Sequence, residues 1–269
     1  MLIKHGCVGA RDVPLGSLVD AIIRTVRKLS SQGVANALCG LAHLGGSRDV
    51  PECVAALDIA AEREAPQMTA QGASNTIWAY AMLRTAPSAP TWSALAAAVC
   101  REARRMDAAG VAYAVWATAA LDIDSGVEPD VLRSLDVAAA REACRMDAAA
   151  LANTLWAFGS GRLGDGGEDR RRAERALVDA LDPEARRLNA EGLPKVLRAL
   201  ANLRVRPDRA LEGLLDGVLL REIRWLDIRG LLDVLDSIGS LGLCVSRCTS
   251  ETLWLSRDRL SGSGFHQGS

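Results

Sequence analysis

The sequence predicts an all-α protein: a right-handed α-solenoid of stacked antiparallel helical hairpins, each about 38–42 residues long. Three observations predict it. The phrase Arg-Met-Asp-Ala-Ala stands at 105–109 and again at 145–149, each time opening a longer helix-like likeness. Six residues able to cap a helix, Ser30, Thr69, Asp107, Asp147, Asn189 and Asp227, follow one another at spacings of 39, 38, 40, 42 and 38. Prolines at Pro14, Pro51, Pro90, Pro129 and Pro207 fall where a second helix of each unit would begin.

The first helix of each unit, helix A, starts at the cap, whose side-chain oxygen can accept a bond from an orphan amide. The residue before each cap is apolar (Leu29, Met68, Met106, Met146, Leu188, Leu226), and so is the fourth after it (Val34, Ala73, Val111, Leu151, Leu193, Leu231). Such pairs staple the chain where it turns into a helix. In the second copy Ala73, Ile77 and Ala81 form one apolar stripe with Trp78 beside it, and Trp116 and Trp156 match Trp78 in the next two copies. The Ile77/Trp78-type face is therefore expected to pack inward. Helix B closes each unit in a relative of Arg-Glu-Ala-Arg-Arg-Met, with glutamate five residues before the next cap at Glu64, Glu102, Glu142, Glu184 and Glu222. One hairpin cannot bury its apolar face alone, so the hairpins must stack. The expected organisation is a partial repeat over 1–29 holding only a helix B, an array over 30–248, and a poorly ordered tail over 249–269. Five hairpins are complete and both ends are partial, as in a fragment of a longer array.

Composition agrees with a packed core: 49% of the 269 residues are hydrophobic. The formal charge of −1 points to neither a nucleic-acid binder nor an acidic tail. Only Lys4, Lys28 and Lys195 among the 32 basic residues are lysine, a bias that a GC-rich genome or a phosphate-binding surface would each produce. The seven cysteines show no pairing logic, and no histidine stands near Cys244 and Cys248, so reduced thiols are expected rather than disulfides or zinc. No run approaches eighteen apolar residues, and the first sixteen residues lack the apolar core of a signal peptide.

The phrases at Gln32–Gly45, Gln71–Arg84 and Ala148–Gly161 resemble the Gln-x-x-Ala-Asn-Thr-x-Trp-Ala-x-Ala-x-Leu pattern of octotricopeptide repeats. Those are helical hairpins of algal organelle proteins, related to the arrays of FAST-kinase-like and RAP-domain proteins. A looser likeness links the phrases to helical repeats of some bacterial plant-pathogen effectors. The resemblance covers about residues 30–243 and fades in the last copies, where Arg198 and Asp236 replace tryptophan and Lys195 and Asp233 replace asparagine. Pro194, early in the fifth helix A, is expected to cost a backbone bond and bend the chain. The resemblance implies an RNA-binding protein acting in organellar RNA stability, processing or translation, in chloroplast or mitochondrion. No targeting peptide is visible.

Two rows on helix A are the candidates for RNA contact. The asparagine row is Asn36, Asn75, Tyr113, Asn153, Lys195 and Asp233; seven residues on lie His43, Met82, Ala120, Ser160, Asn202 and Ser240. A residue held constant across units usually serves the unit by bonding neighbouring helices, whereas base-reading residues vary. Within the first row Tyr113 suits a base and Lys195 a phosphate. A candidate basic edge, Arg104, Arg105, Arg145, Arg186, Arg187 and Arg224, closes helix B. Its arginines would either offset the helix dipole and pair with Glu102 and Glu142 at i,i+3, or form a basic stripe. The expected partner is single-stranded RNA, about one base per repeat and so roughly five or six nucleotides; a protein held along the concave face, as in armadillo-like stacks, is the alternative.

Other motifs carry little. Gly159–Gly164 matches a phosphate-cradling fingerprint but follows a helix, and the glycine-rich insertion reaching Arg172 reads as a loop. Asp122–Glu128 has its glycine one place early for a calcium loop. No catalytic constellation, metal site, cofactor, small-molecule substrate or membrane segment is expected.

Overall fold

The computed structural model describes residues 15–44, 51–121, 123, 127–164 and 167–253, and these contain helices and turns but no strand. Helices alternate between two rows. The B-type helices are α1 (Leu15–Thr25), α3 (Pro51–Glu64), α5 (Ala89–Glu102), α7 (Pro129–Glu142), α9 (Gly167–Glu184) and α11 (Arg209–Glu222). The A-type helices are α2 (Ser31–His43), α4 (Ala70–Leu83), α6 (Ala108–Ala120), α8 (Ala148–Gly159), α10 (Gly192–Leu203) and α12 (Ile228–Leu241). Each A helix packs on the next A helix, from α2 on α4 to α10 on α12, and the B helices follow in parallel from α1 on α3 to α9 on α11. A further helix occupies 247–253, within the span expected as tail; residues 254–269, the rest of it, lie outside the described residues. So do residues 1–14, and with them Pro14.

All six caps form. Ser30, Thr69, Asp107, Asp147, Asn189 and Asp227 accept from the amide three residues on, at 3.3, 3.2, 2.8, 2.8, 2.8 and 2.7 Å. Each bond satisfies an amide that would otherwise lack a partner, worth about 1 kcal/mol. All six residues four after a cap are buried, beside the apolar residues that precede the caps. Neighbouring A helices approach closely at Gly159, where an added Cβ would lie 2.7 Å from the Ala199 Cα. Only glycine fits there.

Every B helix tightens into a 3₁₀ turn before the next cap, at Val26–Lys28, Ala65–Gln67, Ala103–Arg105, Ala143–Arg145, Ala185–Arg187 and Ile223–Trp225. The residue between each turn and the next cap has its carbonyl outside both helices, and an arginine of the following unit takes that carbonyl together with one from the turn. Arg63 donates to Val26 O and Leu29 O; Arg101 donates to Ala65 O and Met68 O. Arg141 donates to Ala103 O and Met106 O at 2.6 Å, and Arg221 to Arg186 O and Leu188 O. Each guanidinium also binds the glutamate beside it: Glu64, Glu102, Glu142 or Glu222. This arginine–glutamate clamp joins consecutive units. At α9 Pro183 takes the arginine's place, and Glu184 Oε2 is left buried without a partner.

A second link uses one B-helix position. Asp58 accepts from Tyr80 Oη, Ser88 N and Thr91 Oγ1, and Asp216 accepts from Ser246 N. Asp136, at the same position of α7, instead holds Arg170 of α9 at 2.7 Å, with both side chains buried and the guanidinium 4.2 Å from the Phe158 ring.

One expectation is corrected, and one is borne out in its backbone cost. The insertion is not loop as far as Arg172: α9 begins at Gly167, and the inserted residues make it 18 residues long. Pro194 costs the bond expected: Leu193 N donates to Asn189 O as at every other cap, but the proline has no N–H for Ala190 O, and α10 becomes regular only at Gly192, three residues after its cap instead of one. Asp122 and residues 124–126 of the calcium-like stretch lie outside the described residues.

Candidate functional site

Counting from each cap, positions two, six, nine and thirteen fall on one helix face, and no residue in these four rows is buried. That face is the open side of the A row. It holds both rows expected to contact RNA, and it also holds the tryptophan row. The inward packing expected for Trp78 therefore splits. Ile77 is buried, whereas Trp78, Trp116 and Trp156 are half-buried, resting on the core while facing the open side.

On α2, α4, α6 and α8 the face carries no aspartate, glutamate, lysine or arginine. It offers amides (Gln32, Asn36, Gln71, Asn75, Asn153), aromatic rings and small groups. His43, Trp78 and Tyr113, one from each of three neighbouring helices, make a tilted ladder with centroids 5.2 and 5.7 Å apart. His43 Nδ1 lies 2.7 Å from Cys39 O. A neutral ring making that bond as donor carries its proton there and leaves Nε2 as acceptor. Cys39 fills the tryptophan position of α2, and burial pushes its thiol up to about 11, which keeps it protonated at neutral pH.

The expected sites divide accordingly. Asn36 is exposed, Asn75 and Asn153 are half-buried, and Met82 is exposed. Tyr113 is 40% exposed and lies against Trp78. Ser160 bonds its own helix at Ala157 O, and Asn202 donates to Gly159 O on the neighbouring α8. Lys195 is not the free cation expected: it is half-buried and donates to Asn153 Oδ1 at 3.0 Å and Glu191 Oε1 at 2.7 Å. Asp233 is bound by Arg198 at 2.6 Å, with Asp236 3.7 Å from the same guanidinium. The open face of α10 and α12 is thus largely tied up in its own ion pairs.

Along the 3₁₀ edge, Arg105, Arg145 and Arg187 pair at i,i+3 with Glu102, Glu142 and Glu184, as the spacing suggests. They stay exposed, as do Arg104 and Arg186, and Arg224 stacks on Trp225 at 5.1 Å. The edge is interrupted at Pro66 and Gln67. Edge and open face meet in a groove of about 590 Å³ whose lining includes Gln71, Asn75, Glu102, Arg105, Asp107 and Tyr113. Two of these carboxylates are occupied: Glu102 binds Arg101 and Arg105, and Asp107 caps α6.

Three signals were missed in the sequence: the tryptophans as members of the open face, Arg198 as a blocking cation, and the arginine before four of the five recurring glutamates. The first follows from helix periodicity alone, since the sixth and ninth positions are one turn apart. Among the described residues no group of three or more His, Cys, Asp or Glu could hold a metal ion, and no helix is long and apolar enough to cross a membrane. Compared with protein-family models and with curated protein sequences, the chain matches none.

Proposed function

We propose that the chain is a right-handed α-solenoid of hairpins about 38–42 residues long that binds single-stranded RNA along its A row, in organellar RNA stability, processing or translation. The groove that joins Arg105 to Asn75 and Tyr113 carries this reading. A strand laid there sets its phosphates toward the arginine edge and its bases toward rings and amides. Stacking tolerates any base, and amides offer both donors and acceptors to base edges. The resemblance to octotricopeptide repeats supports the same assignment. Because α10 and α12 pair their own charges, the strand engages α2 through α8 and spans roughly four bases at one per repeat.

The uncharged character of the open face over four helices favours a second reading, an armadillo-like scaffold holding an extended peptide. Filter binding of a randomised single-stranded RNA pool at two salt concentrations tests between them. Tyr113→Ala is expected to weaken binding about five- to hundredfold, the loss of one stacked base. Arg105→Ala is expected to lower the salt slope by about 0.7, as one phosphate contact on a single strand does. No retention of the pool, or retention indifferent to both substitutions, removes the RNA reading and leaves the peptide scaffold.

A further inference from the structure

On the open face the A helices meet in a fixed register: the ninth residue after one cap lies against the sixth after the next. Cys39 donates to Asn75 O, the Trp78 ring lies 5.7 Å from that of Tyr113, and Arg198 binds Asp233. The same register sets Trp116 beside Asn153 and Trp156 beside Lys195. At the joint of α6 and α8 the pair is therefore a half-buried ring and a half-buried amide. That amide differs from its counterparts. Among the described residues the side chains of Asn36 and Asn75 make no hydrogen bond, so each can turn either way. Asn153 Oδ1 accepts from Lys195 Nζ at 3.0 Å, and Glu191 holds the same ammonium at 2.7 Å. An ammonium only donates, so the oxygen must face it, and the amide cannot turn over without losing the bond. Asn153 Nδ2 has no protein partner and, unlike Arg170 Nη2, is not buried, so it is the group presented to a ligand.

We propose that the joint of Trp116 and Asn153 selects guanine, with Lys195 as a positioning residue that fixes the amide and does not itself touch the base. The proposal rests on the RNA reading above. A free amide matches adenine by donating to N7 and accepting from the N6 amino group, which uses both of its polar atoms. At Asn153 the oxygen is covered by the ammonium, and an amino group brought to it would meet another donor. The guanine edge carries two acceptors, O6 and N7, and asks only for donors. Uracil offers one acceptor, O4, on a smaller ring and ranks second. Adenine and cytosine present amino groups and rank last. Adenine stacks on Trp116 as widely as guanine does, so the amide alone separates the two purines.

The test is to bind a randomised single-stranded RNA pool to the full chain and to sequence the retained fraction. One position is expected to favour guanine over adenine about tenfold, the discrimination of one well-placed base contact. In Lys195→Ala this preference is expected to vanish while affinity for the pool stays within experimental scatter, because the freed amide turns to suit any base. Lys195→Arg, whose side chain also only donates, is expected to keep the preference. Asn153→Leu is expected to lose it. Failure of the wild-type chain to retain the pool overturns this inference and the RNA reading together. Three results overturn the inference alone and leave RNA binding standing: a retained pool with no guanine-preferring position, a preference unmoved in Lys195→Ala, or the same loss in Lys195→Arg as in Lys195→Ala.

Discussion

The joint made by α9 and the joints on either side of it, Arg221 of α11 included, solve the same packing problem with different chemistry. Before α9 each joint is held at the end of the B helix, where Arg63, Arg101 and Arg141 take the previous unit's carbonyls. At α9 proline removes that clamp, and the link moves to the other end of the helix as the buried Arg170–Asp136 pair. The open face changes at the same seam, from uncharged amides and rings on α2–α8 to self-paired charges on α10 and α12. What persists is a side-chain link between consecutive B helices, although at α9 Asp136 Oδ2, Arg170 Nη2 and Glu184 Oε2 stay buried without partners. The residues making the link are interchangeable.

The largest effect is expected where the link is buried. Asp136→Ala leaves Arg170 uncompensated in a site already holding one unpartnered nitrogen, Nη2. The cost is about 3–5 kcal/mol, read from chemical denaturation. Replacing both partners at once, Asp136→Leu with Arg170→Met, is expected to recover most of it, since apolar groups of similar volume carry no desolvation penalty. A double variant as unstable as the single would mean that the joint needs the ion pair itself.

The exposed-end clamp comes next. Arg141→Ala removes the guanidinium from Ala103 O, Met106 O and the buried Glu142, which keeps only Arg145, and is expected to cost about 1.5–3 kcal/mol. Pro183→Arg tests the converse. It supplies the guanidinium that the register calls for, gives Glu184 Oε2 a partner, and is expected to raise stability by about 1 kcal/mol. No gain would show that α9 approaches the preceding turn differently from its neighbours.

These links mark where sequence reading stops. The caps were legible because each is a local event within four residues, Ser30 to Gly33 or Asp227 to Gly230. The recurring glutamate was visible with only one of its two partners. The spacing shows Arg105 beside Glu102, but not that Arg101 turns back to the unit before it, because the acceptors are backbone carbonyls at that unit's 3₁₀ turn, which no side-chain pattern marks. Asp136 and Arg170 lie 34 residues apart across an insertion with no counterpart in other units, so nothing periodic connects them. At the candidate site the rows were legible, and so by its i,i+4 spacing was the Glu191–Lys195 pair, whereas the bond from Lys195 to Asn153 was not, since Asn153 belongs to the preceding unit.

Acid sharpens the clamp comparison more gently. Hydrogen bonding from Arg141, and then from Arg145, holds the Glu142 carboxyl below its ordinary value. As pH falls, the unfolded chain takes up this proton before the folded one does. The stability from Glu142 is therefore present above the usual carboxylate range and lost as pH drops through the lowered value. Asp136 acts in the opposite sense, because burial raises its carboxyl and its contribution is lost as pH rises. Glu142→Gln isolates the first. Melting curves from pH 7 to pH 3 are expected to show the variant losing less stability than wild type toward acid. Parallel curves would assign the acid sensitivity elsewhere.

The smallest effect is expected at Lys195, and it bears on the two halves of the open face. A free ammonium there would contact phosphate, and its removal would weaken RNA binding and flatten the salt dependence. Instead Lys195 donates to Asn153 and Glu191, and the Glu191 carboxyl is correspondingly held low by this lysine. Glu191 is mostly exposed, so the pair contributes little to stability, under about 1 kcal/mol and a shift of roughly 2–4 °C in Tm at most. Lys195→Ala is thus expected to leave both RNA affinity and salt slope within experimental scatter, where Tyr113→Ala weakens binding. A Lys195→Ala loss comparable to that of Tyr113→Ala would show that RNA breaks the pair on binding. The footprint would then extend past α8, and the ion pairs of α10 and α12 would be gates to the strand rather than its boundary.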